Sequence, residues 1–223
     1  MILKWKPTHI GKKFFILKMH KKIRAHFQKN DPVLYEAFLK LTTIHNYKLE
    51  KSNDYFASLC REIVGQQLNG KVARIIYDRF KDLFPNKKVT AEDAVKIKDG
   101  NIRATGMAWS KVRFIKDLAQ KVINGDLRLN ILDSLENEEV IIELTKVKGI
   151  GPWTAEMFLM FALGRADVFS HGDYGLKKAI MKMYGFKKEP SKKQVDRIVS
   201  KWRPYRTYAC CILWESLDNR PEA

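Results

Sequence analysis

Three observations predict an all-α fold. Apolar residues recur at three- and four-residue spacing along most of the chain, the period of a helix with one buried face. Few segments alternate with period two over more than four residues, so strands have almost no support. Helix starts and stops are marked repeatedly by capping residues and glycines. The 223 residues are 45% hydrophobic and 11% aromatic, with only 12 Gly and 7 Pro, which excludes disordered, collagen-like and low-complexity chains. No apolar run approaches the ~18 residues of a membrane span. The chain reads as a soluble globular protein, large enough to bury a core without disulfides or structural metal.

The elements follow in order. Residues 1–30 hold nine Lys/Arg and no acid, with Phe15, Met19, Ile23 and Phe27 at every fourth position, which predicts a basic amphipathic helix. This segment lacks the composition of a transit peptide and the unbroken apolar stretch of a signal peptide, so an intracellular protein is expected. Residues 32–43 predict a second helix with Pro32 in its first turn. Two amphipathic stretches, 54–66 and 70–84, are separated near Asn69, which can cap the second. Thr90 starts a short helix whose first turn carries Glu92 and Asp93, as the helix dipole favours. A helix over 109–123 is closed by Asn124–Gly125. Segments 137–144, 152–163, 173–184, 191–202 and 205–217 complete the set, with a capping-box pattern at Ser191 and Gln194.

The formal net charge is +17. An excess of that size repels itself in the folded state and points to a polyanionic partner, nucleic acid first and an anionic membrane surface second. A merely lysine-rich solvated surface is the bland alternative. Cys60, Cys210 and Cys211 supply neither a disulfide framework nor zinc or iron–sulfur spacing, and fit core positions in a reducing compartment.

The most informative stretch is Leu144 to Met157, LTKVKGIGPWTAEM. Two glycines, Gly149 and Gly151, flank Ile150, and Pro152 stands at the first position of the next helix. Glycines there allow positive φ and close backbone approach, Ile150 pins the turn to the core, and the helix start offers free amides to an anion. Such a helix–hairpin–helix suits a DNA phosphate; an ordinary αα-turn is the structural alternative.

Downstream lies Phe169-Ser-His-Gly-Asp173-Tyr-Gly-Leu-Lys-Lys-Ala. Taken with GIGPWTAEMFLMFALGRADVF, REIVGQQLNGKVA (61–73), TGMAWSKVRFIKDLA (105–119) and WRPYRTYACCILW (202–214), the chain resembles the helix–hairpin–helix (HhH-GPD) DNA glycosylase superfamily. Within it, the 3-methyladenine DNA glycosylase II branch is the most similar. The resemblance covers roughly residues 30–217 with its motifs in order. It implies a two-lobed helical core, 1–49 plus 175–223 as one lobe and 50–174 as the other, with a cleft between them. It also implies a monofunctional glycosylase in base excision repair. Such an enzyme hydrolyses the N-glycosidic bond of alkylated purines of the 3-methyladenine or 7-methylguanine type, flipped out of duplex DNA, and leaves an abasic site. The alternatives are a glycosylase for deaminated or oxidised bases and a non-catalytic DNA-binding protein with the same hairpin.

The essential aspartate of the family matches Asp173, whose carboxylate would stabilise the oxocarbenium-like sugar and orient or deprotonate water. Asp173 is also placed to cap a helix, and one oxygen can cap while the other faces the sugar. Asp167 is the competing carboxylate, read as surface or capping. The lysine of bifunctional relatives would stand where this chain has Trp153, so no lyase activity is expected. Trp153 and Trp214 match pocket tryptophans, with simple core packing as the alternative. Trp109, Tyr174 and Tyr208 are weaker members of the pocket, and Met157 departs from the aromatic common at its position. Gln67 matches the wedge that fills the flipped base's gap, with Leu68 as fallback. Gly149, Ile150, Gly151, Lys146, Lys148, Lys71, Lys111 and Arg113 are candidate DNA-backbone contacts. The resemblance further implies a monovalent cation on the carbonyls of Thr145, Val147 and Ile150. No redox or organic cofactor is expected, and a DNA reader of this size can work as a monomer. His171 receives no role.

Overall fold

The computed structural model describes residues 13–40 and 49–218, and side chains over 21–40 and 49–217. Among the described residues the chain is helical and forms no strand. The helices are α1 (Lys13–Asn30), α2 (Pro32–Lys40), α3 (Tyr55–Gly65), α4 (Gly70–Lys81), α5 (Ala91–Lys96) and α6 (Asp99–Ala104). They continue with α7 (Trp109–Asn124), α8 (Asn137–Thr145), α9 (Pro152–Phe161), α10 (Tyr174–Met183), α11 (Lys192–Val199) and α12 (Arg206–Asp218). No described helix is long and apolar enough to cross a membrane.

Local chemistry sets the helix ends. Asn69 accepts from the Val72 amide at the start of α4, and Thr90 from the Asp93 amide at the start of α5. Ser191 and Gln194 form the reciprocal capping box of α11, satisfying two otherwise orphaned amides. Gly125 stops α7 in the left-handed conformation at φ 77°. The span expected over 191–202 is not one helix, since α11 gives way at Val199 to a 3-10 turn over Ser200–Trp202. Helix α6 has no counterpart in the sequence reading; it is a short element anchored by the fully buried Ile102. Of the basic N-terminal helix, residues 1–12 and the side chains of Phe15 and Met19 lie outside the described residues, as do 41–43 of the second helix. Ile23 and Phe27 do point into the core.

The chain divides into two compact units, one over 51–163 and the other over the described parts of 9–50 and 164–223. In the first, α7 turns Val112, Ile115, Leu118 and Ala119 inward, where they pack with α3 and α5; α8 pairs with α9. Phe80, Phe158 and Leu144 are fully buried there, each contributing about 1.5–3 kcal/mol by removal from water.

The second unit packs α1 on α2 and α10 on α12. Its buried polar centre is Asp31, only 1% exposed. Its Oδ1 accepts from the Leu34 amide (3.2 Å), while Oδ2 accepts from the Tyr184 hydroxyl (2.6 Å) and the Trp202 indole N–H (2.8 Å). Burial, reinforced by that bond to Asp31, pushes the Tyr184 hydroxyl well above its ordinary pKa. The expected boundary at 174/175 falls instead at 163/164, so the segment carrying Asp173 joins the second unit. The cause is α12: the Thr207 amide and hydroxyl donate to the carbonyls of Ala166 and Arg165, and the Arg206 guanidinium grips Asp167 at 2.6 Å.

Candidate functional site

In the first unit several contacts build the hairpin between α8 and α9. Ile150 is 4% exposed and docks into the core as its place between glycines implied. Gly149 has φ +81°, and a Cβ there would stand 2.1 Å from the Phe114 ring of α7; only glycine fits both the conformation and the packing. The Lys148 amide donates to Asp117 Oδ2 at 2.8 Å. The side-chain amide of Gln66, at the end of α3, donates to the Gly149 carbonyl at 2.8 Å and to Thr154 Oγ1 at 3.3 Å.

Those contacts decide which amides face outward. The Ile150 amide donates to Val147 and the Lys148 amide to Asp117. Among the described residues, the Gly149 and Gly151 amides donate to nothing. Gly151 does not use the positive φ that a glycine allows: φ is −95° as the N-cap of α9. Its lack of a side chain leaves open space instead, since a Cβ would meet no atom within 4 Å. Two glycine amides without an acceptor at a helix start have the chemistry that suits a small anion such as a phosphate.

The basic residues sort themselves. Lys148 is exposed, 3.8 Å from Asp117 Oδ1, and Lys146 pairs with Glu143 one turn back. Lys71 and Arg113 are exposed on α4 and α7. Lys111, a candidate DNA-backbone contact, is engaged within the chain: its ammonium donates to the carbonyls of Val64 (2.8 Å) and Gln66 (2.7 Å). It closes the C-terminal end of α3, and burial lowers its pKa. Next to Gln66, Gln67 is exposed and held at φ 58°, a left-handed conformation that costs a non-glycine residue. Leu68 is half-buried, its amide on Gly65. Of the aromatic candidates in this unit, Trp153 is half-buried on the first turn of α9, and Trp109 opens α7 with 51% of its surface exposed. Met157 is only 5% exposed, and with Phe158, Leu159 and Met160 also buried, α9 is covered around most of its circumference here.

In the second unit, Asp173 caps α10 and is 8% exposed. Its Oδ1 accepts from the Leu176 amide at 2.7 Å and from the Trp214 indole N–H at 3.1 Å. The structure thus brings Asp173 and Trp214 into direct contact. Tyr174 opens α10 at 74% exposure, and Tyr208 is buried on α12. Asp167 accepts from the Arg206 side chain and, at 3.4 Å, from its amide at the start of α12; the carboxylate is a structural ion pair. His171 lies 3.3 Å from Asp196, and burial is the main influence lowering its pKa.

Four residues were missed: Gln66, Asp117, Phe114 and Gly175. The last stands where a Cβ would lie 3.0 Å from Asp173 Oδ1. Only Gly175 carried a visible signal, as a glycine inside a helical pattern.

Residues 60–204 match the HhH-GPD superfamily of base excision DNA repair proteins. The chain is 34% identical over 173 residues to DNA-3-methyladenine glycosylase 1 of Schizosaccharomyces pombe, spanning 77% of this chain and 75% of that protein. Its fold is similar to the solved 3-methyladenine DNA glycosylase of S. pombe in complex with abasic DNA (TM-score 0.79, 29% identity, 91% of this chain and 99% of that one). It is also similar to a DNA-3-methyladenine glycosidase of Bacillus halodurans (TM-score 0.74, 34% identity, 89% of each chain).

Proposed function

Because the chain belongs to the HhH-GPD superfamily of base excision DNA repair proteins, we propose that it is a monofunctional DNA glycosylase that removes alkylated purines from duplex DNA. The observation that carries this reading is Asp173, a carboxylate held in a nearly dry position by two N–H donors. Methylation at N3 or N7 makes the purine cationic. The N-glycosidic bond breaks with its electron pair going to the base, which leaves neutral, while positive charge develops on the sugar. Asp173 stabilises that charge and takes the proton of the water that adds to C1′. The products are the free base, an abasic site and one proton. Trp153 offers no amine for a Schiff base, so strand cleavage is not part of the reaction.

Around this step the remaining residues bind and hold. The Gly149 and Gly151 amides with Lys148 take a backbone phosphate. Gln67, strained and exposed on the turn between α3 and α4, fills the gap left by the rotated base. Trp153 and Trp109 of the first unit offer ring faces suited to a cationic purine, and Tyr174 of the second unit offers another. The hairpin carbonyls fit a monovalent cation: no backbone amide among the described residues donates to Thr145 or Ile150, and Val147 accepts only from Ile150. When bound, the ion would supply positive charge beside the phosphate. On this reading the protein works inside the cell, as a monomer on its duplex.

The test is release of methylated purines from duplex DNA by wild type and Asp173→Asn, each followed by alkali. Wild type is expected to release the base and to yield strand breaks only after alkali; the variant should be slower by about 10²–10³-fold. Binding without release of any methylated base would overturn the reading. A panel of deaminated and oxidised bases then separates another lesion class from a pure DNA binder.

A further inference from the structure

Asp173 Oδ1 receives two N–H groups, and the second comes from a side chain 41 residues further along, the Trp214 indole. Gly175 makes that approach feasible. It is the second residue of α10 and has no positive φ, so its backbone conformation does not call for glycine, the least favourable helix residue after proline. What glycine does there is leave room: a Cβ would stand 3.0 Å from Asp173 Oδ1, 3.3 Å from Trp214 Cδ1 and 3.4 Å from Trp214 Nε1. Its absence allows the indole edge to close on the carboxylate.

We infer that Trp214 is a positioning residue for Asp173, acting through its N–H edge rather than by stacking on the base, and that Gly175 is the spacer that admits it. The inference rests on the reading of Asp173 as the catalytic carboxylate. A carboxylate held by one hydrogen bond rotates about its Cβ–Cγ bond. Two donors converging on one oxygen from different elements, the α10 backbone and the α12 side chain, fix that rotation and the plane of the group. Hydrogen bonds to an ionised acceptor are the strong kind, and reaction rates are sensitive to small misplacements of the reacting group. The orientation of Asp173 is therefore set before DNA arrives.

A stacking role and a positioning role differ in what they do across substrates. Trp214→Phe keeps an aromatic face and removes the N–H. The measurement is the single-turnover excision rate on duplexes carrying 3-methyladenine or 7-methylguanine, with the affinity for a duplex carrying a tetrahydrofuran abasic analogue. Trp214→Phe is expected to slow both excisions by one common factor, about 10- to 100-fold, with analogue affinity within about twofold. Gly175→Ala, which keeps the tryptophan but sets a methyl against its indole edge and Asp173 Oδ1, should slow both in the same proportion to each other. In the Asp173→Asn background, Trp214→Phe should add no further loss. A loss confined to one base, or carried by weaker binding, would identify a stacking wall and overturn the inference; so would a wild-type rate in Trp214→Phe. If Asp173→Asn itself excises at the wild-type rate, the reading of Asp173 fails instead, and the two failures are distinct.

Discussion

Gly149 and Gly151 flank one isoleucine, yet their reasons for being glycine differ. Gly149 needs its positive φ and the space occupied by Phe114. Gly149→Ala should therefore destabilise the fold by about 2–4 kcal/mol, the sum of a left-handed backbone penalty and overpacking, seen as a lower urea midpoint. Gly151 has an ordinary backbone and open space around it. Gly151→Ala should keep its unfolding free energy within about 0.5 kcal/mol of wild type. The new methyl would stand between the hairpin and a phosphate, so DNA affinity should fall by about tenfold. A Gly151→Ala variant with both unchanged would remove the phosphate role from this hairpin.

At the scale of elements, α7 joins the turn after α3 to the hairpin before α9. Lys111 holds the carbonyls of Val64 and Gln66, and Asp117, less than two turns further on, holds the Lys148 amide. Lys111→Met loses charge-assisted hydrogen bonds and should cost about 1.5–3 kcal/mol in urea unfolding. Burial sets the native pKa of Lys111 below the ~10.4 of a free lysine. Between the lowered value and ~10.4 the unfolded chain binds more protons than the folded one, so wild-type stability from this group rises with pH. The deficit of Lys111→Met should widen as pH rises through that window; a deficit that narrows would contradict the burial of the ammonium. The same helix shows what sequence can tell. Its span, its buried face and its stop at Gly125 are local properties and were legible. The contacts of Lys111 and Gln66 reach across 45 and 83 residues, and no spacing rule carries them. By charge alone Lys111 looked like Lys148, and burial separates the two. Asp173 was legible as a residue through the family motif, while its partnership with Trp214 depended on where α12 lies against α10.

For the whole molecule, a charge of +17 makes DNA affinity steeply dependent on salt, since each neutralised phosphate releases counterions. The slope of log affinity against log salt counts those contacts. Lys148→Ala should reduce its magnitude by about one, whereas Lys111→Met should leave it unchanged because that ammonium already faces carbonyls. An equal change in the two slopes would show that Lys111 turns outward on DNA. The division into units has a different kind of consequence. Among the described residues, the 51–163 unit is one continuous stretch, while the other joins an early segment to a late one. On the ribosome, Asp31 emerges long before the two side chains that hydrogen-bond its carboxylate, 153 and 171 residues downstream. At ordinary translation speeds that interval is roughly 10–30 s. During it, the continuous unit can fold in the middle of the nascent chain, while α1 and α2 wait with their apolar faces uncovered, open to chaperones and to neighbouring nascent chains.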